Sequence, residues 1–289
     1  MQAVKYARAA DIDDAIRLLA EGGDKARILA GGTDLIVQAR ERKRDVDLFV
    51  DVKHVAEFMS LEYDDSSGLT VGAATPLYEL YGDKTVQEKY PALVDASTVI
   101  GGKAIQGRAS LGGNLGNSSP AGDSLPAMIA LGGIATVAGP NGSREVSVAE
   151  FCTGPGRNVL ESGELIVSIN FPAVSDSEGA AWQRFIPRNE MDIAVASAGT
   201  WIKLDGKVVA DARIALGAVA ATPLVATGAA EALIGNELTD EVISNAGDAA
   251  SSIASPITDM RGSVKQRTHL AKVLTERTIR DALDRINSQ

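Results

Sequence analysis

Two short stretches of the chain concentrate residues suited to holding a ligand through the main chain. In ILAGGTDL, residues 28–35, an apolar run enters Gly31-Gly32 and is followed by Thr33 and Asp34, good residues for a helix start. Glycines at such a junction let the backbone bend and approach a ligand, and the amides that open the following helix point outward and favour an anion. The chemistry this predicts is phosphate binding by backbone N–H groups, each worth roughly 1.5–3 kcal/mol to a charged oxygen, without any Lys or Arg. A plain tight turn between strand and helix would use the same residues, and the glycine pair alone does not decide between the two. The pattern is not GxGxxG, since Thr-Asp-Leu-Ile follows Gly31-Gly32, so a nicotinamide Rossmann site is disfavoured.

The second stretch, ASLGGNLGNSSPAGDSLPA at residues 109–127, holds four glycines among small hydroxyl and amide side chains. Such residues supply hydrogen-bond groups without bulk, as a diphosphate and a chain of hydroxyls would require. A flexible linker is the competing reading, but the flanking apolar segments and the absence of Lys and Glu between residues 110 and 126 argue against it. Elsewhere little chemistry is legible. His54 and His269 are far apart and lack neighbouring metal-ligand types, Cys152 follows an apolar residue as a small core filler would, and no acid–base pair or nucleophilic serine constellation is visible.

The elements that must carry these stretches read as follows. Asp11 can cap a helix whose apolar positions Ile12, Ala15, Ile16 and Leu19 share one face and which Gly22-Gly23 ends; strands follow at residues 27–30 and 48–52, with a helix at 35–40 between them. From residue 59, MSLEY and LTVGA flank DDSSG as a hairpin, residues 91–100 are helical, and residues 101–116 keep neither period for long. Asp123 opens a buried helix, IATVAG and REVSV form a hairpin turning at Asn141-Gly142, and residues 165–171 are a strand. After the polar VSDSEG, strands at 180–187, 194–204 and 208–219 precede helical stretches starting near Pro223, Thr239 and Ser263. A sheet followed by a helical cluster reads as a separate α+β unit, with a boundary near residue 175.

The bulk properties limit the partners. At 289 residues the chain is long enough for two or three units, and 45% hydrophobic with 23% charged residues is an ordinary globular balance. A net charge of -10 disfavours nucleic acid and anionic membranes. A single cysteine leaves no internal disulfide, thiolate-held iron–sulfur cluster or structural zinc, so any redox cluster belongs to another chain. The start MQAVKYARAADIDDAI lacks a secretory signal, which predicts a cytoplasmic protein, and residues 214–235, broken by Gly217 and Pro223, read as a strand and a buried helix instead of a membrane span.

AGGTD at 30–34, SLGGN at 110–114 and the following NSSPAGDSLPA resemble the FAD-binding medium subunit of the molybdenum hydroxylases, the group of carbon monoxide dehydrogenase and bacterial xanthine dehydrogenase. The resemblance runs along nearly the whole chain and includes FCTGPGRNVLESGELIVSINFP. It implies an α+β fold: a two-part FAD-binding domain similar to that of vanillyl-alcohol oxidase and MurB, with a small βαβ unit at 1–55 and a mixed or antiparallel sheet unit at 56–175. A C-terminal α+β domain with an antiparallel sheet and helices then occupies 176–289. It also implies FAD between the glycine stretches, with Leu29, Ala30, Gly31, Gly32, Thr33, Asp34 and Leu35 on one side and Ser110, Gly113, Asn114 and Asn117 on the other. Asp123 would accept from cofactor hydroxyls, although a simple helix N-cap is an equal reading. Ile100 and Gly101 would approach the cofactor through the backbone, and Val167 and Arg184 would lie near the isoalloxazine ring, Arg184 raising its electron affinity by its charge.

The resemblance further implies electron transfer within a complex: molybdopterin on a large subunit, 2Fe-2S clusters on a small iron–sulfur subunit, and FAD here passing electrons to an external acceptor, in a dimer of heterotrimers. No catalytic residue or metal ligand is then expected on this chain. Two departures stand out. Ala104-Ile105-Gln106-Gly107 replaces a stretch that in the family reads Gln-Ile-Arg-Asn, leaving Arg108 as the nearest arginine, and Ile193 stands where some members place a tyrosine beside the flavin. Two other readings stay open: a self-sufficient FAD-dependent reductase or oxidase of the MurB or vanillyl-alcohol oxidase type, and a non-catalytic interaction subunit.

Overall fold

The computed structural model describes residues 3–288. The first unit is built from β1 (Lys5–Arg8), α1 (Ile12–Gly22), β2 (Ala26–Leu29), α2 (Leu35–Arg40) and β3 (Leu48–Asp51). Asp11 caps α1 as expected, its carboxylate accepting from the Asp14 amide. The three strands are parallel in the order β1-β3-β2, with α1 packed on β2 and β3, and β2 is left at an edge with its C-terminal end open. That end is where the first glycine pair follows.

The second unit begins with the hairpin of β4 (Leu61–Asp64) and β5 (Gly68–Gly72). The helices α3 (Leu77–Gly82), α4 (Lys84–Lys89), α5 (Pro91–Ser97), α6 (Lys103–Gln106), α7 (Leu111–Asn117) and α8 (Ser124–Ala130) come next. Then follow β6 (Ile134–Gly139), β7 (Gly142–Ser147), α9 (Val148–Phe151), the small pair β8 (Cys152–Gly154) and β9 (Arg157–Asn158), and β10 (Leu165–Phe171). Five of these strands make an antiparallel sheet in the order β4-β5-β10-β6-β7, with the apolar β10 at its centre. Two expectations change here. Residues 101–116 are not irregular but hold α6 and α7, and the β6–β7 turn is Pro140-Asn141, with Gly142 already paired to Gly139. Proline's fixed φ suits the first corner of that turn, while Gly142 absorbs the positive φ of 105° that follows it.

Residues 172–177 carry no helix or strand. Beyond them lie β11 (Glu178–Phe185), β12 (Ala196–Asp205), β13 (Val208–Gly217) and β14 (Leu224–Val225), an antiparallel meander in chain order, then α10 (Thr227–Leu233), α11 (Asp240–Ser252) and α12 (Val264–Asn287). Thr239 and Ser263 cap α11 and α12 through their hydroxyls. Near Pro223 the chain first adds the short β14 to the sheet before α10 begins. One face of this sheet is packed by α10 and α12, with α11 lying on those two helices, and the other lies on α8, all seven residues of which are buried. The approach is close: a Cβ at Gly199 of β12 would stand 2.5 Å from the Pro126 carbonyl oxygen of α8. Trp182, Trp201 and Ala215 accordingly join the core of the second unit. His54 and His269 are exposed, and no described helix is long and apolar enough to cross a membrane.

Candidate functional site

The open end of β2 delivers Gly31-Gly32 to one wall of a cleft of about 1090 Å3. Gly32 has φ +75°, and a Cβ added there would press within 2.7 Å of Ile36 and 2.9 Å of Leu29. At Gly31 a Cβ would overlap the carbonyl of Arg108 and stand 3.0 Å from the Ala109 nitrogen, so the first glycine turn is seated directly against the start of the second glycine stretch. The two stretches meet at the cleft. Among the described residues, none accepts a hydrogen bond from the amides of Gly31, Gly32, Thr33 or Asp34, while the Gly32 and Asp34 carbonyls already serve α2. Four consecutive unspent donors at a ligand-sized opening are a cradle for an anion.

The second stretch is organised differently. Ser110 caps α7, its hydroxyl accepting from the Gly113 amide at 3.1 Å, and Gly112 packs so closely on Ala73 that a side chain there would strike backbone atoms. Asn114 accepts from the Ser124 hydroxyl at 2.7 Å, and Asn117 accepts from Gln38 of α2 at 3.1 Å, a bridge that ties the two walls. Ser110, Gly113, Asn114 and Asn117 all line the cleft, as do Ala30, Gly31, Gly32, Thr33, Asp34, Leu35, Ile100, Gly101 and Asp123.

Asp123 occupies the N-cap position of α8 but does not cap it. Its Oδ2 takes a 2.5 Å ion pair from Arg184, and its Oδ1 is buried without a partner. Burial pushes the carboxyl up to about 7, against the opposing pull of the Arg184 guanidinium. An acceptor oxygen left unpaired in a cleft wall fits a hydroxyl supplied by a ligand.

Three other residues that the resemblance points to are not on the wall. Leu29 faces inward and is buried; Val167 is buried in β10, where its carbonyl accepts from Ala73; and Arg184 is 7% exposed, spending its guanidinium on Asp123 and on the carbonyls of Val99 and Asp192. The register of β10 against β6 shifts between Ile166 and Ser168, and the neighbouring residues Leu165 and Ile166 are the ones that reach the cleft. The structure also adds residues the sequence did not single out. Met191 and Asp192 join Ile193 at the mouth; Arg27 and Arg44 line one end, where burial and the charge of Arg44 hold Arg27 below its ordinary pKa. An arginine on a strand and one after a helix carry no local signal of facing each other.

No described group of three or more His, Cys, Asp and Glu could hold a metal ion. Cys152 is half-buried among apolar side chains, and burial raises its thiol pKa. Among the described residues the cleft thus offers donors, one buried carboxylate oxygen without a partner, and apolar walls, a fit for a long dinucleotide with a diphosphate and several hydroxyls.

Comparison with known proteins agrees. Residues 2–174 match the model described as the FAD binding domain in molybdopterin dehydrogenase, and residues 183–282 match the CO dehydrogenase flavoprotein C-terminal domain. The chain is 30% identical to a xanthine dehydrogenase FAD-binding subunit of Escherichia coli O157:H7, covering 96% of this chain and 95% of that one. It superposes with TM-score 0.94 and 30% identity on a chain of reconstituted CO dehydrogenase from Oligotropha carboxidovorans, covering 98% and 99% of the two chains. A chain of quinoline 2-oxidoreductase from Pseudomonas putida 86 matches at TM-score 0.90 and 28% identity over 98% of each.

Proposed function

The chain belongs to the FAD-binding subunits of the molybdopterin dehydrogenases, and we propose from this that its cleft holds FAD for electron transfer within a complex. Electrons would arrive from an iron–sulfur small subunit, itself fed by a molybdopterin large subunit, and leave to an external acceptor. The assembly is a dimer of heterotrimers in the cytoplasm. What FAD supplies when bound is the junction between single-electron and paired-electron transfer.

The observation that carries this reading is the seating of Gly31 on the Arg108–Ala109 backbone with four neighbouring amides unspent. Those amides would hold the diphosphate, and Asn114, Asn117 and the Asp123 carboxylate would meet hydroxyls and ring edges along the opposite wall. Ile100 and Gly101 would approach through the backbone, while Leu29 and Val167 support the wall from behind. The absence of a legible acid–base pair suits a protein that binds and orients a cofactor and leaves substrate chemistry to a partner. The three-part division at 1–55, 56–175 and 176–289 fits this role, with the first two parts forming the walls and the third backing α8.

Purifying the full chain and recording its visible spectrum tests the assignment. Bound flavin in a near one-to-one ratio is expected, and a colourless chain that takes up no added FAD would refute it. Oxidation of NADH by the chain alone separates the subunit from a self-sufficient reductase: turnover of a small substrate without partners would favour the latter.

A further inference from the structure

A second feature of the cleft concerns how its mouth is held. The guanidinium of Arg184, at the end of β11, makes three contacts with three different segments: Nη1 to Asp123 Oδ2 at 2.5 Å, Nη1 to the Asp192 carbonyl at 3.2 Å, and Nη2 to the Val99 carbonyl at 2.9 Å. Val99 precedes the cleft-lining Ile100-Gly101, Asp123 is the carboxylate with a free oxygen, and Asp192 lies between Met191 and Ile193 at the mouth. Each of the three segments therefore carries its cleft residues immediately beside an Arg184 contact.

The mouth segment is otherwise tied mostly to itself. Arg188 donates to the Met191 carbonyl and pairs with Asp192 at 3.2 Å, and the Ile193 amide donates to Asp192 Oδ1. Met191 is 61% exposed with φ 53°, a left-handed conformation that a non-glycine side chain resists, and its sulfur lies over Gly102. Among the described residues its links to other segments are the Arg184 contact, the packing of Met191 on Gly102, the longer 3.9 Å approach of Arg261 to Asp192 and, at its base, the Val195 amide bond to Phe185 and the Arg267 bond to the Val195 carbonyl.

We infer that Arg184 is a positioning residue of the cleft: it fixes the Asp123 carboxylate at the cleft wall and at the same time straps the Met191–Ile193 segment over the mouth, so that retention of the cofactor and closure of the segment depend on one side chain. This rests on the reading of the cleft as an FAD site. It differs from a role in which the charge of Arg184 acts directly on the ring, because that charge is paired with Asp123 and the side chain is behind the wall.

The experiment compares the full chain with Arg184→Gln and Arg184→Lys, measuring FAD dissociation by fluorescence recovery and trypsin cleavage after Arg188, both far below the melting temperature. Loss of charge-assisted bonds of this kind predicts FAD release faster by at least about tenfold in Arg184→Gln, with earlier cleavage after Arg188 and an intermediate result for lysine. A role in general stability alone would lower the melting temperature but leave both rates unchanged at low temperature, and that result overturns the inference. Should both variants misfold, amide exchange in the unaltered chain decides. FAD should slow exchange in residues 99–102 and 189–193 together, and unchanged exchange at 189–193 overturns the inference. Failure of the unaltered chain to bind FAD would instead overturn the cofactor assignment beneath it.

Discussion

The two glycine stretches look alike as strings of small residues, yet the fold uses them in opposite ways. At residues 31–34 the main chain keeps its donors unspent, and a side chain on Gly31 or Gly32 would meet backbone or packed apolar atoms. At residues 110–117 the donors and acceptors are largely committed: Ser110 to Gly113, Asn114 to Ser124, Asn117 to Gln38. Glycine richness therefore marks two separate needs, bare amides for a ligand in one case and close packing of a short helix in the other. The first wall keeps bare donors, and the second holds its side chains fixed by internal bonds.

Substitution should expose that division. Gly32→Val places a branched side chain at φ +75° against Ile36 and Leu29, and FAD retention should be abolished, read as loss of visible flavin absorbance in the purified chain. An unchanged flavin content would remove the first wall from the site.

The next effect is one of pH and bears on Asp123. Its carboxyl is raised in the folded chain, so the folded state holds the proton more tightly than the unfolded one. From this group alone, stability falls as pH climbs from 3.8 to about 7 and is level above. A cofactor hydroxyl donating to Oδ1 favours the charged form, so FAD binding should expel the proton, and affinity should weaken by up to about tenfold per pH unit below neutrality. Fluorescence titrations across that range check the slope, and Asp123→Asn should flatten it.

Ser110→Ala should cost about 1 kcal/mol through the lost cap, seen as a lower denaturation midpoint, with FAD affinity changed much less than by Gly32→Val. If affinity fell as far as stability left it intact, the second wall would be a binding wall after all. Gln38→Ala removes the bridge to Asn117 and should lower stability by about 0.5–1 kcal/mol in the same measurement, the smallest of the four.

Much of the framework was legible because it rests on local chemistry. Asp11, Thr239 and Ser263 announce their helices by capping residues, and the alternation around DDSSG announces a hairpin. What stayed hidden depends on distant partners. Helix α7 holds three glycines in seven residues, a composition that disfavours helix and hides any period, and it forms because Ser110 caps it and Ala73 receives Gly112. The break in register beside Val167 leaves Leu165 and Ile166, not Val167, on the cleft wall, which no alternation in LIVSINF reveals. The partners of Arg184 lie 85, 61 and 8 positions away, so its hold on Val99, Asp123 and Asp192 could only be seen in three dimensions.

Helix α8 has Asp123 at its head, and the Pro126 carbonyl of its first turn lies against Gly199 of the C-terminal sheet. A truncation at residues 172–177 would strip that sheet from a seven-residue helix with no exposed face, leaving the carboxylate at its head on an unsupported pivot. The part of the chain beyond that seam, although it contributes little to the cavity lining, would serve as the anvil against which the cofactor's grip is set. Splitting the gene at that seam should yield two fragments, neither of which turns yellow.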